Sequence, residues 1–173
     1  MMKNLKNSIP NLLTLSNLSC GIISLIMTFE GNYALASLFI IFAGIIDRYD
    51  GRIARALNVS SEIGKELDSL SDLVSFGVAP AVLIFNIYSL RNFGLMGFLP
   101  LLLFPIAGAY RLARYNISSF DGVFTGIPIT IAGTFLALYA LIPARKPLIC
   151  NFGIILAFVL SYLMISKLKL RKR

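Results

Sequence analysis

Six apolar runs, each close to the length that crosses a lipid bilayer as a helix, occupy most of this 173-residue chain. They fall at 12–29, 32–56, 68–90, 94–115, 127–143 and 147–166, separated by turn-prone or charged pieces such as GN at 31–32, NVSSEIG at 58–64 and SSFDG at 118–122. A backbone in hydrocarbon must satisfy its own hydrogen bonds, so runs of this length restrict the chain to helices. The expected fold is all-α, an integral membrane bundle of six transmembrane helices forming one domain over residues 1–173. A mean hydropathy of +0.81 agrees, lying far outside the range of soluble domains.

Sixteen Lys and Arg against eight Asp and Glu give a net charge of +8, but the basic residues stand between the apolar runs and at the ends. That distribution fits a membrane surface and gives no reason to expect nucleic acid. With both termini cytoplasmic, all the basic residues except Arg91, Arg145 and Lys146 fall on the inner side, which the positive-inside rule favours. The tail KLKLRKR reads as a solvated anchor for anionic lipid. Lys3 and Lys6 precede an apolar run, as in a signal peptide, but no small-x-small site follows, so removal is not expected. Pro80 and Pro105 lie inside spans and should kink them.

The second run has only fourteen uninterrupted apolar residues, YALASLFIIFAGII, which would cover about 21 Å as a helix. It reaches hydrocarbon thickness only by continuing through DRYDGRIA, which places Asp47 and Asp50 near the inner boundary. The third run starts from the same side with Asp68 and Asp72 in its first turns. Both acidic pairs therefore end at one depth, where phospholipids keep their phosphates. Spacings of i, i+3 for Asp47 and Asp50, and i, i+4 for Asp68 and Asp72, project each pair from one helix face.

Four converging carboxylates repel unless positive charge lies among them. Histidine is absent, and Cys20 and Cys150 stand singly in separate runs, so a soft-metal site is not available. One or two hard divalent cations held by oxygen are the simplest counter-charge. Gly51 and Gly64 remove side chains beside the acids, leaving room for a bulky ligand, and Ala54 keeps the next turn slim.

These residues resemble the pattern D-x2-D-G-x2-A-R-x8-G-x3-D-x3-D of the CDP-alcohol phosphotransferases. Every fixed position is present: Asp47, Asp50, Gly51, Ala54, Arg55, Gly64, Asp68 and Asp72. The resemblance implies a membrane enzyme that moves a phosphatidyl or archaetidyl group from a CDP-activated lipid to a small alcohol and releases CMP. It also implies two divalent cations (magnesium, manganese or calcium) on Asp47, Asp50, Asp68 and Asp72, and a general-base role for Asp72. Gly51, Ala54, Arg55 and Gly64 would border the CDP. A homodimer is implied too, with its active site on the cytoplasmic side of the cell membrane.

RLARYN at 111–116 and FTGIPI at 124–129 are similar to elements of the family's CDP-diacylglycerol–serine branch, with Tyr115 and Ile127 as conservative departures. Arg111 and Arg114 would then bind the carboxylate of L-serine, since a guanidinium can donate two parallel hydrogen bonds. Arginine binds phosphate as well, so inositol phosphate or glycerol phosphate remain alternative acceptors by chemistry alone. The N-terminal IPNLLTLSN also resembles the serine branch, with Asn11, Thr14 and Asn17 as candidates to face the nucleotide. A cation transporter is the alternative from another class. Against it, Arg52, Arg55, Arg111 and Arg114 would impede a metal ion and welcome an anionic nucleotide.

Overall fold

The computed structural model describes residues 2–56, 61–117, 123–142, 147–166 and 169–171. Helices dominate: α1 (Met2–Phe29), α2 (Tyr33–Ala56), α3 (Glu62–Asp72), α4 (Ala79–Ile87), α5 (Leu95–Ile117), α6 (Ile129–Ala140) and α7 (Pro147–Ile165). A π-helical turn at Leu73–Val78 joins α3 to α4, so 62–87 is one continuous rod and the helices among the described residues form six rods. Three stretches, Pro10–Phe29, Glu62–Ile87 and Leu95–Ile117, are long and apolar enough to cross a bilayer. The apolar helices of the last two runs are shorter, and α2 carries its charged half. This pattern fits a membrane protein.

The distribution of side-chain size says the same. Ala36, Ala43, Ala79, Ala132 and Ala137 are completely buried, whereas Phe42, Ile45, Leu102, Phe135 and Tyr162 are exposed. Large residues such as Phe76, Phe104 and Leu136 are buried as well, but the buried alanines let helix backbones approach closely, and the many large apolar side chains left outside suit a lipid surround. Hydroxyls within the rods are satisfied locally. Ser16, Ser19, Thr28, Ser71, Thr134 and Ser161 each donate to the carbonyl four residues back. Ser24 instead bridges helices, donating to the Ala36 carbonyl across the extensive α1–α2 contact at 2.9 Å.

The third rod begins earlier than its apolar run. Ser61, in extended conformation, caps α3 by accepting the Gly64 N–H at 2.9 Å, and Glu62 follows in the first turn. The acidic pair thus rests on two turns of preceding helix. Pro80 accounts for the wide turn just before it: it has no N–H to give, and its ring would crowd the carbonyl four residues back, which π geometry relieves. Ala79 N–H accordingly donates to the Val74 carbonyl, five residues back. The expected disturbance at Pro80 is thus a change of helix type, while α5 continues through Pro100 and Pro105.

The π turn is closely packed between α1 and α6. Ser75, Phe76 and Gly77 are all buried. A side chain at Gly21 of α1 would collide with Ser75, its Cβ lying 2.8 Å from the Ser75 Cα. One at Gly133 of α6 would collide with the Phe76 backbone, at 2.7 Å from its Cα. No flexible side-chain end is available to yield at either place. Gly133→Val is therefore expected to lower the unfolding temperature in detergent, at a cost of roughly 2–3 kcal/mol by the usual scale of overpacking. An unchanged melting temperature would show that α6 does not clasp the turn.

Two departures from the all-helical expectation occur near the chain's end. Lys169–Arg171 pairs antiparallel with Val123–Thr125, in the register Val123↔Arg171 and Thr125↔Lys169. Part of the basic tail is therefore hydrogen-bonded to the segment before α6 and is not simply a solvated anchor. Gly126, at φ +77, follows this strand, and Ile127 N–H donates to the Leu163 carbonyl of α7. FTGIPI thus fastens the start of α6 to the end of α7, and its Pro128 stands at the N-cap position of α6 without a side-chain hydrogen bond.

Candidate active site

Asp47 and Asp50 project from the charged half of α2, and Asp68 and Asp72 from α3. One carboxylate oxygen from each of Asp47, Asp68 and Asp72 lies within 4.8 Å of the others. Oxygens sharing one hard cation at about 2.1–2.5 Å sit roughly 3–5 Å apart, so the three-carboxylate set fits a divalent ion of the magnesium or calcium type. No nitrogen or sulfur ligand belongs to this set, in keeping with oxygen coordination.

Asp50 stands beside this triad, within electrostatic reach of Asp47 and Asp68. It is buried, and its Oδ2 accepts a short hydrogen bond from the Thr14 hydroxyl of α1. Thr14 Oγ also lies 3.1 Å from the Pro10 carbonyl. One hydroxyl proton serves one acceptor at a time, and a carboxylate is the stronger. Asp72, also buried, accepts from Asn17 Nδ2 at 3.2 Å. Asn17 is held in turn by its backbone carbonyl, which accepts the Ser75 hydroxyl of the π turn at 3.0 Å. Thr14 and Asn17, the α1 residues expected to face a nucleotide, both direct their side chains to aspartates. Buried amides and hydroxyls in an apolar bundle take the nearest charged partner.

Asn11, the third of that group, packs at the N-terminal end of α3. A Cβ on Gly64 would lie 3.1 Å from Asn11 Oδ1 and 2.9 Å from Ser61 Oγ. Gly64 thus allows α1 to close on the α3 cap, and the room it leaves is partly filled by the chain itself. Gly51 follows Asp50 in α2 and is half-buried. Ala54 and Arg55 continue α2, but their side chains lie outside the described residues.

The two arginines of RLARYN separate. Arg111 is buried, lies within electrostatic reach of Asp72, and its Nε has no protein partner. Arg114, half-buried, donates from Nη1 to the Ile165 carbonyl at the end of α7, at 3.3 Å. The last residue of the motif, to which the sequence assigned no task, is a staple. Asn116 Nδ2 donates to Ser69 Oγ at 3.0 Å and to Glu66 Oε1 at 3.3 Å, and its carbonyl accepts Lys65 Nζ at 3.0 Å. This ties α5 to α3 beside the acids and brings Arg111 opposite Asp72. Lys65 and Glu66 are thereby both bonded to α5.

A groove of about 590 Å³ opens between α2 and α6, with Asp47, Arg48 and Arg52 at its charged end and Ile45, Phe135 and Leu138 among its apolar walls. Polar and apolar ends in one cleft suit an amphiphile with an anionic head.

The family model described as CDP-alcohol phosphatidyltransferase matches residues 7–166. The chain belongs to that family. Among its relatives is a CDP-diacylglycerol–serine O-phosphatidyltransferase of Bacillus subtilis (strain 168), 37% identical over 164 residues, which span 94% of this chain and 89% of that protein. Another of the same name, from Helicobacter pylori (strain J99), is 40% identical over 136 residues, 77% of this chain and 57% of that protein. An archaetidylserine synthase of Methanothermobacter thermautotrophicus is 33% identical over 166 residues, 94% of this chain and 69% of that protein. The carboxylates of this CDP-alcohol phosphatidyltransferase thus converge in a chain that matches transferases of both bacterial and archaeal kinds.

Proposed function

We propose that the protein transfers a phosphatidyl group, or its archaetidyl counterpart, from a CDP-activated lipid to L-serine, releasing CMP and giving a phosphatidylserine-type lipid. The observation that carries this reading is the meeting of Asp47, Asp68 and Asp72 beside buried Arg111. The serine transferases among the relatives support the choice of acceptor.

In this reading Asp47, Asp50, Asp68 and Asp72 hold two divalent cations, magnesium or manganese foremost and calcium as a further candidate. When bound, such ions neutralise the diphosphate and the charge that grows on departing CMP. Thr14 and Asn17 fix the rotamers of Asp50 and Asp72. Gly51, Ala54, Arg55, Gly64 and Asn11 border the nucleotide, and the α2–α6 groove takes the start of a lipid chain. Arg111, assisted by Arg114, receives the serine carboxylate. Asp72 accepts the proton of the serine hydroxyl; the freed oxygen forms a bond to the phosphorus bearing the lipid alcohol, and the bond from that phosphorus to CMP breaks. The chain forms one domain of six spans with both termini cytoplasmic, the site faces the cytoplasmic headgroups, and the functional unit is a homodimer.

The test is CMP release by purified protein supplied with CDP-lipid and, separately, L-serine, inositol phosphate or glycerol phosphate. Serine alone is expected to support release. Release with inositol phosphate only would move the protein to another branch, and metal flux through liposomes without any transfer would favour a transporter. Arg111→Leu should raise the KM for serine by about tenfold to a hundredfold, the usual weight of a charged hydrogen bond to substrate, while leaving CDP-lipid affinity unchanged. An unaltered KM would remove Arg111 from the acceptor site.

A further inference from the structure

Among the described residues, two that interact with Asp72 each keep a buried polar atom without a protein partner: Arg111 Nε, a donor, and Asn17 Oδ1, an acceptor. Asn17 is 1% exposed, and every other polar group of its side chain and its carbonyl is committed. Its Nδ2 must be the atom that faces Asp72, since a carboxylate only accepts. Its Oδ1 is thereby the other end of the amide whose Nδ2 bonds the carboxylate that takes the acceptor's proton. The amide cannot turn to relieve this without setting oxygen against oxygen. Nor is its position adjustable, because Ser75 of the clasped π turn holds the Asn17 carbonyl at 3.0 Å.

A buried acceptor kept unpaired beside a reactive carboxylate is suited to a donor that arrives with the substrate. We infer that Asn17 Oδ1 receives the ammonium group of the acceptor amino acid, making Asn17 a specificity-determining residue. The inference rests on the reading of serine as acceptor and deepens it. Serine carries its hydroxyl and its ammonium on neighbouring carbons, so a hydroxyl on Asp72 leaves the ammonium within reach of the adjoining amide oxygen. The carboxylate is then left for Arg111. Inositol phosphate and glycerol phosphate have no cationic donor for Asn17. A neutral amide is also better suited than a fifth carboxylate, which would add repulsion among the aspartates and compete for metal. A site built to pair a substrate N–H rejects an analogue that lacks it, because its own polar atom then stays buried and unpaired.

The experiment compares L-serine with 3-hydroxypropionate, which keeps the hydroxyl and the carboxylate and lacks the ammonium. Wild type and Asn17→Leu are assayed for CMP release, and serine binding is measured by calorimetry on protein loaded with magnesium and CMP, which carries no lipid group to transfer. Wild type is expected to prefer serine at least about tenfold, and Asn17→Leu to erase the preference by weakening serine binding tenfold or more while leaving affinity for 3-hydroxypropionate within about threefold. If Asn17→Leu slows turnover of both acceptors equally and binds serine as tightly as wild type does, Asn17 only orients Asp72 and the inference falls. Should the variant fail to fold, wild type alone decides, because equal use of the two acceptors overturns the inference. Release by wild type with inositol phosphate and none with serine would instead sink the reading of function on which it rests.

Discussion

Asp72→Asn is expected to reduce turnover by at least about a thousandfold, within the range for loss of a general base, while CDP-lipid affinity stays within a few-fold of wild type. Asn occupies the same volume and still presents an oxygen to Asn17 Nδ2, so the local packing that buries this residue should survive. What disappears is the capacity to accept a proton. Single-turnover CMP release and equilibrium binding of CDP-lipid separate the two effects. If binding falls as steeply in Asp72→Asn as in Asp47→Asn, Asp72 is a metal ligand like its neighbours and has no separate role as base.

Removal of divalent metal should be equally severe for turnover, with activity falling about a thousandfold or more and returning on addition of magnesium or manganese. Its effect on stability carries the sharper sign. Without a cation, Asp47, Asp68 and Asp72 hold their oxygens within 4.8 Å of one another in a half-buried site, and their repulsion opposes folding. Saturating metal should therefore raise the melting temperature of wild type, a ligand at a hundred times its Kd contributing about 2.7 kcal/mol. Asp47→Asn removes one of the repelling charges. The metal-free variant should melt above metal-free wild type, gain less from magnesium, and bind CDP-lipid more weakly. If the variant melts lower in the absence of metal, the triad is not held against its own repulsion.

The six helical rods were legible in the sequence because the length of an apolar run and the bilayer's demand for internal hydrogen bonding leave a chain few alternatives. Their boundaries were less so. The third rod starts at Glu62, ahead of its apolar run, because Ser61 supplies a capping oxygen that hydropathy does not register. The π turn at Leu73–Val78 had no signal beyond Pro80, and the pairing of Lys169–Arg171 with Val123–Thr125 had none, since three-residue strands carry too little pattern to be read.

Within the site, spacing alone put Asp47 with Asp50 and Asp68 with Asp72, but it could not sort the four. The structure groups Asp47, Asp68 and Asp72, and gives Asp50 the Thr14 hydroxyl. Arg111 and Arg114, three residues apart, shared one expected role. Their surroundings differ because the rotation between them directs Arg111 into the bundle and Arg114 to the last carbonyls of α7. No pattern in the sequence marks Asn116 or Ser75, although Asn116 ties α5 to Ser69 of α3 and Ser75 holds the Asn17 carbonyl.

The sequence by itself determined a membrane chain of helical rods, the family to which it belongs, and the one short segment that carries most of its acidic residues, because these depend on length, polarity and fixed spacing along the chain. Only the tertiary structure decided which carboxylates share a centre, which α1 side chains hold them, and which polar atoms remain buried and unpaired. Those facts depend on how helices distant in sequence rotate and close on one another, and that is set by contacts between backbones at glycines, which no local pattern records.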